Sequence, residues 1–284
     1  MRYLVILLWF CSLSLSADEV ADCNDEGCIT NPDFMFSLSL GYGQRSNPLY
    51  GGAELPLVVL PDFYYYAEYW FFDNGKLGLT KPLTPNWQLS LVSQLNPEKG
   101  YFQKWFSSNF TAFPFTSPLT PQASVVEKSA AAAANISQVN KRPTAVDLGI
   151  QLDWFKKSWH GQTIIWHDIS NSYNGHHVSI SLGKSWQHST GWWQLNGRLF
   201  WKGAKLMDTY YGINQYEPFN IQHYQAKASW QPEISLQWRQ PITERATLVG
   251  FLRYLYLDKA MTNSPLTRSD HITTWFFGVN YRFL

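Results

Sequence analysis

The sequence predicts an all-β protein: a transmembrane antiparallel β-barrel of about 12 strands, with its N- and C-termini in the periplasm. Three observations support this fold class. The first residues have the layout of a secretory signal peptide, and much of the remaining chain consists of short segments in which apolar and polar residues alternate. The composition is rich in aromatic residues (17%) and poor in charged ones (15%), whereas soluble domains carry about 25% charged residues. Alternation with Trp and Tyr near the strand ends is typical of strands that separate lipid from a polar lumen.

Residues 1–16 form the predicted signal peptide. Arg2 supplies a positive charge, residues 3–11 are apolar, and small residues follow up to Ser16, which is the order found in secretory signals. We expect cleavage after Ser16, with cleavage after Ala17 as the alternative. The apolar stretch is shorter than the roughly 20 residues that a membrane-spanning helix needs. The mature chain is therefore expected to be exported to the outer membrane of a Gram-negative cell.

Residues 17–33 form a predicted periplasmic N-terminal segment that contains two cysteines. Cys23 and Cys28 lie in "DCNDEGC", and two cysteines this close in an oxidising compartment predict a disulfide. A metal site is the less favoured alternative, because two thiolates without a histidine leave a zinc site incomplete. We expect neither a metal nor a cofactor.

The predicted barrel covers residues 34–284. In "AVDLGIQLDW" the apolar face is Val146, Leu148, Ile150, Leu152 and Trp154, and the polar face is Asp147, Gly149, Gln151 and Asp153. This period of two indicates a strand with two different faces. The predicted strands are 34–44, 54–62, 64–73, 76–83, 87–96, 145–155, 162–170, 176–186, 191–211, 225–239, 245–257 and 272–284.

Loop lengths agree with twelve strands that start in the periplasm. The two short, Pro-bearing turns at 83–87 and 240–245 fall on the periplasmic side, where barrel turns are short. The long connections 97–144, 212–224 and 258–271 fall outside the cell.

The extracellular loop 97–144 has two possible interpretations. It is either a flexible surface loop or a lid or partly ordered plug, because it holds more aromatic residues than a fully solvated segment normally exposes. Residues 129–137 include an alanine run that predicts a short helix. The aromatic residues are Tyr101, Phe102, Trp105, Phe106, Phe110, Phe113 and Phe115.

The chain ends on "WFFGVNYRFL", without a polar tail. Its alternate residues form one apolar face, which we interpret as the signal that the barrel-assembly machinery captures and as a surface that meets outer-membrane lipid. Pairing of this last strand with the first closes the barrel and removes both open edges. The face consists of Trp275, Phe277, Val279, Tyr281 and Phe283.

A catalytic interpretation is weak. "WHDISNSYNGHH" has a faint similarity to the His and Ser-Asn-Gly neighbourhood of outer-membrane phospholipase A. A serine nucleophile needs a histidine within hydrogen-bond reach, but His167 and Ser170 are three residues apart on a strand and point to opposite faces. We therefore interpret the segment as a polar turn and expect no enzyme.

Charged residues predicted to face the lumen leave conduction open. Asp147, Asp153, Arg198 and Arg239 are consistent with a pore lining and equally with paired charges that fill a narrow lumen. The net formal charge of +1 gives no reason to expect a nucleic-acid partner.

Four stretches of the sequence resemble the MipA/OmpV family of outer-membrane proteins: "GYGQRSNPLYGG", "LPLVVLPDFYYYAEYWFFDNGKLGLT", "MDTYYGI" and "FFGVNYRF". The resemblance implies an outer-membrane barrel without catalytic residues. It also implies a scaffold that brings a lytic transglycosylase together with a peptidoglycan synthase, while other members are linked to adhesion and to osmotic or stress responses. The alternatives are a small-solute channel or a surface barrel for adhesion or ligand binding.

Overall fold

The structure, a computed structural model, describes residues 33–102, 134–217 and 222–283. Within them, twelve antiparallel strands form a closed barrel in which β1 pairs with β12, and this confirms the predicted fold class and strand number. The strands are β1 Asp33–Arg45, β2 Leu55–Tyr66, β3 Trp70–Asp73, β4 Lys76–Thr84, β5 Trp87–Leu95, β6 Val146–Lys156, β7 Trp159–Asp168, β8 His176–His188, β9 Gly191–Lys202, β10 Ser229–Pro241, β11 Ala246–Tyr256 and β12 His271–Arg282. Two short helices, α1 Ala204–Tyr211 and α2 Lys259–Thr262, lie in connections between strands.

The two faces of each strand differ as the alternation predicts. On β6, Ile150 is 58% exposed on the outer face, whereas Asp147 is fully buried on the inner face. On β12, Phe277 is 55% exposed on the outer face and Thr274 is 9% exposed on the inner face. An apolar outer face and a polar inner face are what a membrane barrel requires, because lipid replaces water on the outside. None of the helices within the described ranges is long and apolar enough to cross a membrane.

The connections at the two ends of the barrel differ in length. One end, here called the turn end, holds the start of β1, the end of β12 and five connections of two to four residues. The other end, here called the loop end, holds the long connections, including those between β5 and β6 and between β9 and β10. Short turns mark the periplasmic side of bacterial barrels, so we assign the turn end to the periplasm.

The prediction of a single strand over 191–211 is wrong. Strand β9 ends at Lys202, and helix α1 follows Gly203. Leu206, Met207, Tyr210 and Tyr211 are the buried residues of this helix. Their spacing of one, three and one residues puts them on one side of a helix, so tertiary packing favours α1 over an extended strand.

The boundary predicted between residues 62 and 64 is also wrong. Strand β2 continues to Tyr66, and the turn is closed by a hydrogen bond from Ala67 N to Trp70 O (2.8 Å). Strands β2 and β3 pair at only three positions, from Tyr64↔Asp73 to Tyr66↔Phe71. The ladder stops because β3 turns back after four residues, at Asn74 and Gly75, both with positive φ (46° and 90°). These are the conformations of a tight type I′ hairpin turn.

Candidate functional site in the barrel lumen

The loop-end half of the lumen is filled by the connections between strands, which we call the plug. It consists of the described parts of five connections: residues 46–54, 96–102 with 134–145, 169–175, 203–217 with 222–228, and 257–270. Their apolar side chains form one buried cluster against the inner wall. The largest fully buried members are Tyr210, Tyr211, Leu49, Leu206, Met207, Ile213, Leu257, Met261 and Leu266.

An ion pair joins the plug to the barrel wall. Lys202, at the end of β9, contacts Glu98 with Nζ 2.6 Å from Oε1, and the two side chains are only 10% and 5% exposed. The Tyr211 hydroxyl on α1 donates a second hydrogen bond to Glu98. Burial would raise the pKa of Glu98, but Lys202 and the Tyr211 hydroxyl together hold that pKa below its ordinary value. Burial, followed by the nearby Glu98 charge, raises the pKa of Tyr211, so Tyr211 stays a neutral donor.

A second buried ion pair fastens two plug connections to each other. Arg142 Nη1 lies 2.6 Å from Glu217 Oε1, with side chains 7% and 1% exposed. The same guanidinium donates from Nε to Tyr210 O (3.0 Å) and from Nη2 to Gly212 O (2.8 Å). Arg142 therefore ties the β5–β6 connection to the C-terminal end of α1, whose last carbonyl groups need partners.

Asp147, on the inner face of β6, is a third anchor for the plug. Its carboxylate accepts hydrogen bonds from the Tyr173 hydroxyl (2.6 Å) and from Asn96 Nδ2 (2.7 Å). His177 Nε2 lies 3.0 Å from the same carboxylate. Three strand ends and the β7–β8 connection thus meet at one fully buried charge.

The turn-end half of the lumen, in contrast, contains a cavity of about 480 Å³. It lies against the inner wall formed by β10, β11, β12, β1 and β2. Its charged lining residues are Arg239, Arg245, Arg253, Arg282, Asp62 and Glu244. Four guanidinium groups and two carboxylates give the lining of this cavity an excess of positive charge.

The family model described as MltA-interacting protein MipA matches residues 38–283. The chain belongs to the MipA family. This match covers eleven complete strands and most of β1, so it confirms the resemblance drawn from the four motifs.

This MipA-family barrel also shows similarity to other outer-membrane proteins. YiaT of Escherichia coli (strain K12), which is named as an outer-membrane protein, is 33% identical over 78 residues, or 27% of this chain and about a third (32%) of YiaT. An anion-selective porin from Comamonas acidovorans aligns with 84% of this chain and 64% of its own, at 11% identity and a TM-score of 0.35. An outer-membrane channel from Pseudomonas putida F1 aligns with 93% of this chain and 100% of its own, at 8% identity and a TM-score of 0.38.

In this MipA-family barrel Ser170 lies in the connection after β7. Ser170 Oγ donates to Asp168 Oδ1 (2.6 Å), contacts Ser172 Oγ (2.9 Å) and accepts from Val146 N (3.0 Å). Among the residues that the structure describes, no histidine nitrogen hydrogen-bonds to this hydroxyl. Ser170 therefore caps the connection after β7 and is not placed as a nucleophile.

The charges predicted to face the lumen do so, and most have hydrogen-bond or ion-pair partners there. Asp153 accepts from Gln151 and Gln162 and lies 3.3 Å from His160 Nε2. Arg198 Nη1 lies 3.6 Å from Glu233 Oε1. Arg239 instead stacks over the Trp192 ring, with its Cζ 5.7 Å from the ring centroid. Asp147, Asp153 and Arg198 thus have polar or charged partners within the partly filled lumen, which describes them better than an open pore lining.

The proposed insertion signal lies on the outer face of the last strand. Phe277, Val279, Tyr281 and Phe283 are all between 39% and 55% exposed, and β12 pairs with β1 at nine positions. Their role as a signal stays a prediction. The signal peptide 1–16 and the pair Cys23 and Cys28 lie outside the described residues.

Sequence reasoning missed the ion pairs of the plug. Glu98 and Lys202 are 104 positions apart, and Arg142 and Glu217 are 75 apart, so a single sequence gives no direct signal that they meet. The available signal was weaker: charged residues in or next to the predicted loops of a chain with few charges. The interpretation of loop 97–144 as a plug agrees with its described parts, in which Tyr101 and Ile136 are buried. The helix predicted over 129–137 is represented there by one short 3₁₀ turn, Ile136–Gln138.

Proposed function

We propose that this MipA-family barrel is a non-enzymatic scaffold for peptidoglycan-remodelling enzymes, anchored in the outer membrane and closed at its loop end. The observation that carries the proposal is the plug, which is held by the buried pairs Glu98–Lys202 and Arg142–Glu217. Breaking one partner of such a pair costs about 3–5 kcal/mol because the other charge stays buried. A conformation without the plug is therefore disfavoured, and the accessible working surface is the turn end.

The family description supports the choice of partner. It names an MltA-interacting protein, which favours a lytic transglycosylase, and the motif resemblance adds a peptidoglycan synthase. The periplasmic turn end and the acidic segment 17–33 are the parts of the chain that such enzymes reach. Assembly into the outer membrane requires the barrel-assembly machinery.

Two measurements test the scaffold proposal. The purified wild-type barrel in planar lipid bilayers should give no stable conductance steps, and chemical crosslinking of intact envelopes should recover a lytic transglycosylase with it. A matched barrel of known conductance serves as the control for bilayer insertion. Regular single-channel steps from the wild-type protein, together with no recovered transglycosylase, would contradict the proposal.

A small-solute channel is the second candidate, favoured by the polar cavity at the turn end. A channel requires the plug to rearrange, so weakening the plug should raise conductance. A barrel that conducts in the wild-type form, and conducts no more when Lys202 is replaced, would favour a permanent pore beside the plug.

A further inference from the structure

We propose that the turn-end cavity is a binding site for a small anionic ligand that carries carboxylate or phosphate groups. The proposal goes beyond the scaffold role and does not depend on it, because it concerns what the lumen binds and not which proteins the barrel contacts.

Three of the four arginines that line the cavity have no carboxylate partner among the described residues. Within the described ranges, no carboxylate lies within 4.0 Å of the guanidinium groups of Arg239, Arg245 or Arg282. Arg282 donates to a backbone carbonyl, Glu244 O, at 3.2 Å, which leaves its charge without a counter-charge. Arg239 stacks on Trp192, an arrangement that orients the guanidinium without neutralising it.

The fourth arginine is only partly neutralised. Arg253 Nε lies 3.7 Å from Glu233 Oε1, and Arg198 Nη1 lies 3.6 Å from the same oxygen. One carboxylate thus serves two guanidinium groups. Arg253 Nε is also buried with no hydrogen-bond partner among the described residues. Arg253 lines the cavity, whereas Glu233 does not, and the carboxylates that line the cavity are Asp62 and Glu244.

The location of these charges strengthens their effect. A recess with an excess of one sign of charge between low-dielectric walls focuses the field and concentrates oppositely charged solutes. The guanidinium group is always protonated and presents a planar set of donors that matches carboxylate and phosphate oxygens in pairs. Arginine at all four positions therefore favours an oxyanion over a halide ion.

The cavity also fits a ligand larger than a single ion. About 480 Å³ lies within the range of roughly 300–1,000 Å³ that small-molecule sites occupy. Gln237, Thr247 and Asn280 line it, and their amide and hydroxyl groups can bind uncharged polar parts of a ligand. The matching chemistry is an anionic group attached to a skeleton with hydroxyl or amide groups.

Calorimetric titration of the full-length barrel in neutral detergent tests the proposal. Citrate represents carboxylates, inorganic tripolyphosphate represents phosphates, and sucrose is the uncharged control. We expect at least one anion to bind and sucrose not to bind, with affinity falling as NaCl rises from about 50 to 500 mM. The anion that binds more tightly shows whether the site prefers carboxylate or phosphate groups.

Variants locate the site. In Arg239→Gln/Arg282→Gln, affinity for the preferred anion should fall at least tenfold, whereas Lys205→Gln/Arg268→Gln removes the same charge at the loop end and should leave affinity unchanged. Heat-modifiable migration on gels shows whether each variant is folded. Arg245→Gln changes a lining arginine in the exposed turn and leaves every strand residue unchanged. The absence of binding by both anions, or an equal loss in both double variants, would overturn the proposal. Failure of the scaffold experiments would not affect this result.

Discussion

Replacing Lys202 by Met should loosen the plug while leaving the barrel closed. The ammonium group lies 2.6 Å from the Glu98 carboxylate, and both side chains are at most 10% exposed. At an effective dielectric constant of about 20 their attraction is about 6 kcal/mol. Desolvation offsets part of it, so leaving Glu98 buried without its partner should cost about 3–5 kcal/mol.

The loss should depend on pH in a defined direction. In the wild-type protein the pKa of Glu98 is held below its ordinary value of 4.5, so its contribution to stability is present above that value and is lost as the pH falls through the lowered pKa. In Lys202→Met burial acts without the opposing charge, and Glu98 takes up a proton more readily. The difference between the two proteins should therefore be largest at neutral pH and should shrink in acid.

Hydrogen–deuterium exchange of the peptide that covers α1 measures this effect. A loss of 3–5 kcal/mol corresponds to exchange that is about two to four orders of magnitude faster, since each tenfold change is about 1.36 kcal/mol. Glu98→Gln/Lys202→Met, which buries no charge, should regain most of the protection, and Lys205→Met on the exposed side of α1 is the matched control. If Lys202→Met exchanges at the wild-type rate at pH 7, the ion pair does not hold the plug and this reasoning is wrong.

Three further predictions concern the ends of the chain. Deleting Tyr281–Leu284 removes the end of the insertion face and part of the β1–β12 ladder, so the protein should accumulate in the periplasm in a protease-sensitive form; heat-modifiable truncated protein in outer-membrane fractions would contradict this. Cys23 and Cys28 in the exported protein should resist maleimide until reduction, and the closed loop is so short that losing the bond should change barrel stability little; free thiols in the native protein would exclude the pairing. Neutralising the acidic residues of 17–33 should weaken a cell-wall enzyme complex, most visibly at low salt, whereas deleting 100–140 should spare it. The reverse result would favour a surface role.

The sequence predicts the wall of this barrel better than its interior. A wall strand such as β6 must alternate between lipid and lumen, so Asp147 and Ile150 reveal their faces through local spacing alone. The sequence pattern did not predict helix α1, because Tyr210 and Tyr211 are buried within the plug. No local pattern describes that environment. The pair of Glu98 and Lys202 exists only because the β5–β6 connection folds into the lumen beside the end of β9.

The short ladder between β2 and β3 determines where the cylinder is mechanically weakest. Those strands share three paired positions, whereas β1 and β12, which bring the two ends of the barrel sequence together, share nine. In hydrocarbon each unsatisfied backbone group costs several kcal/mol, so resistance to separation grows with the number of paired positions. Under heat or lateral tension the strands should separate first beside Tyr64–Tyr66, while β1 and β12 should stay paired.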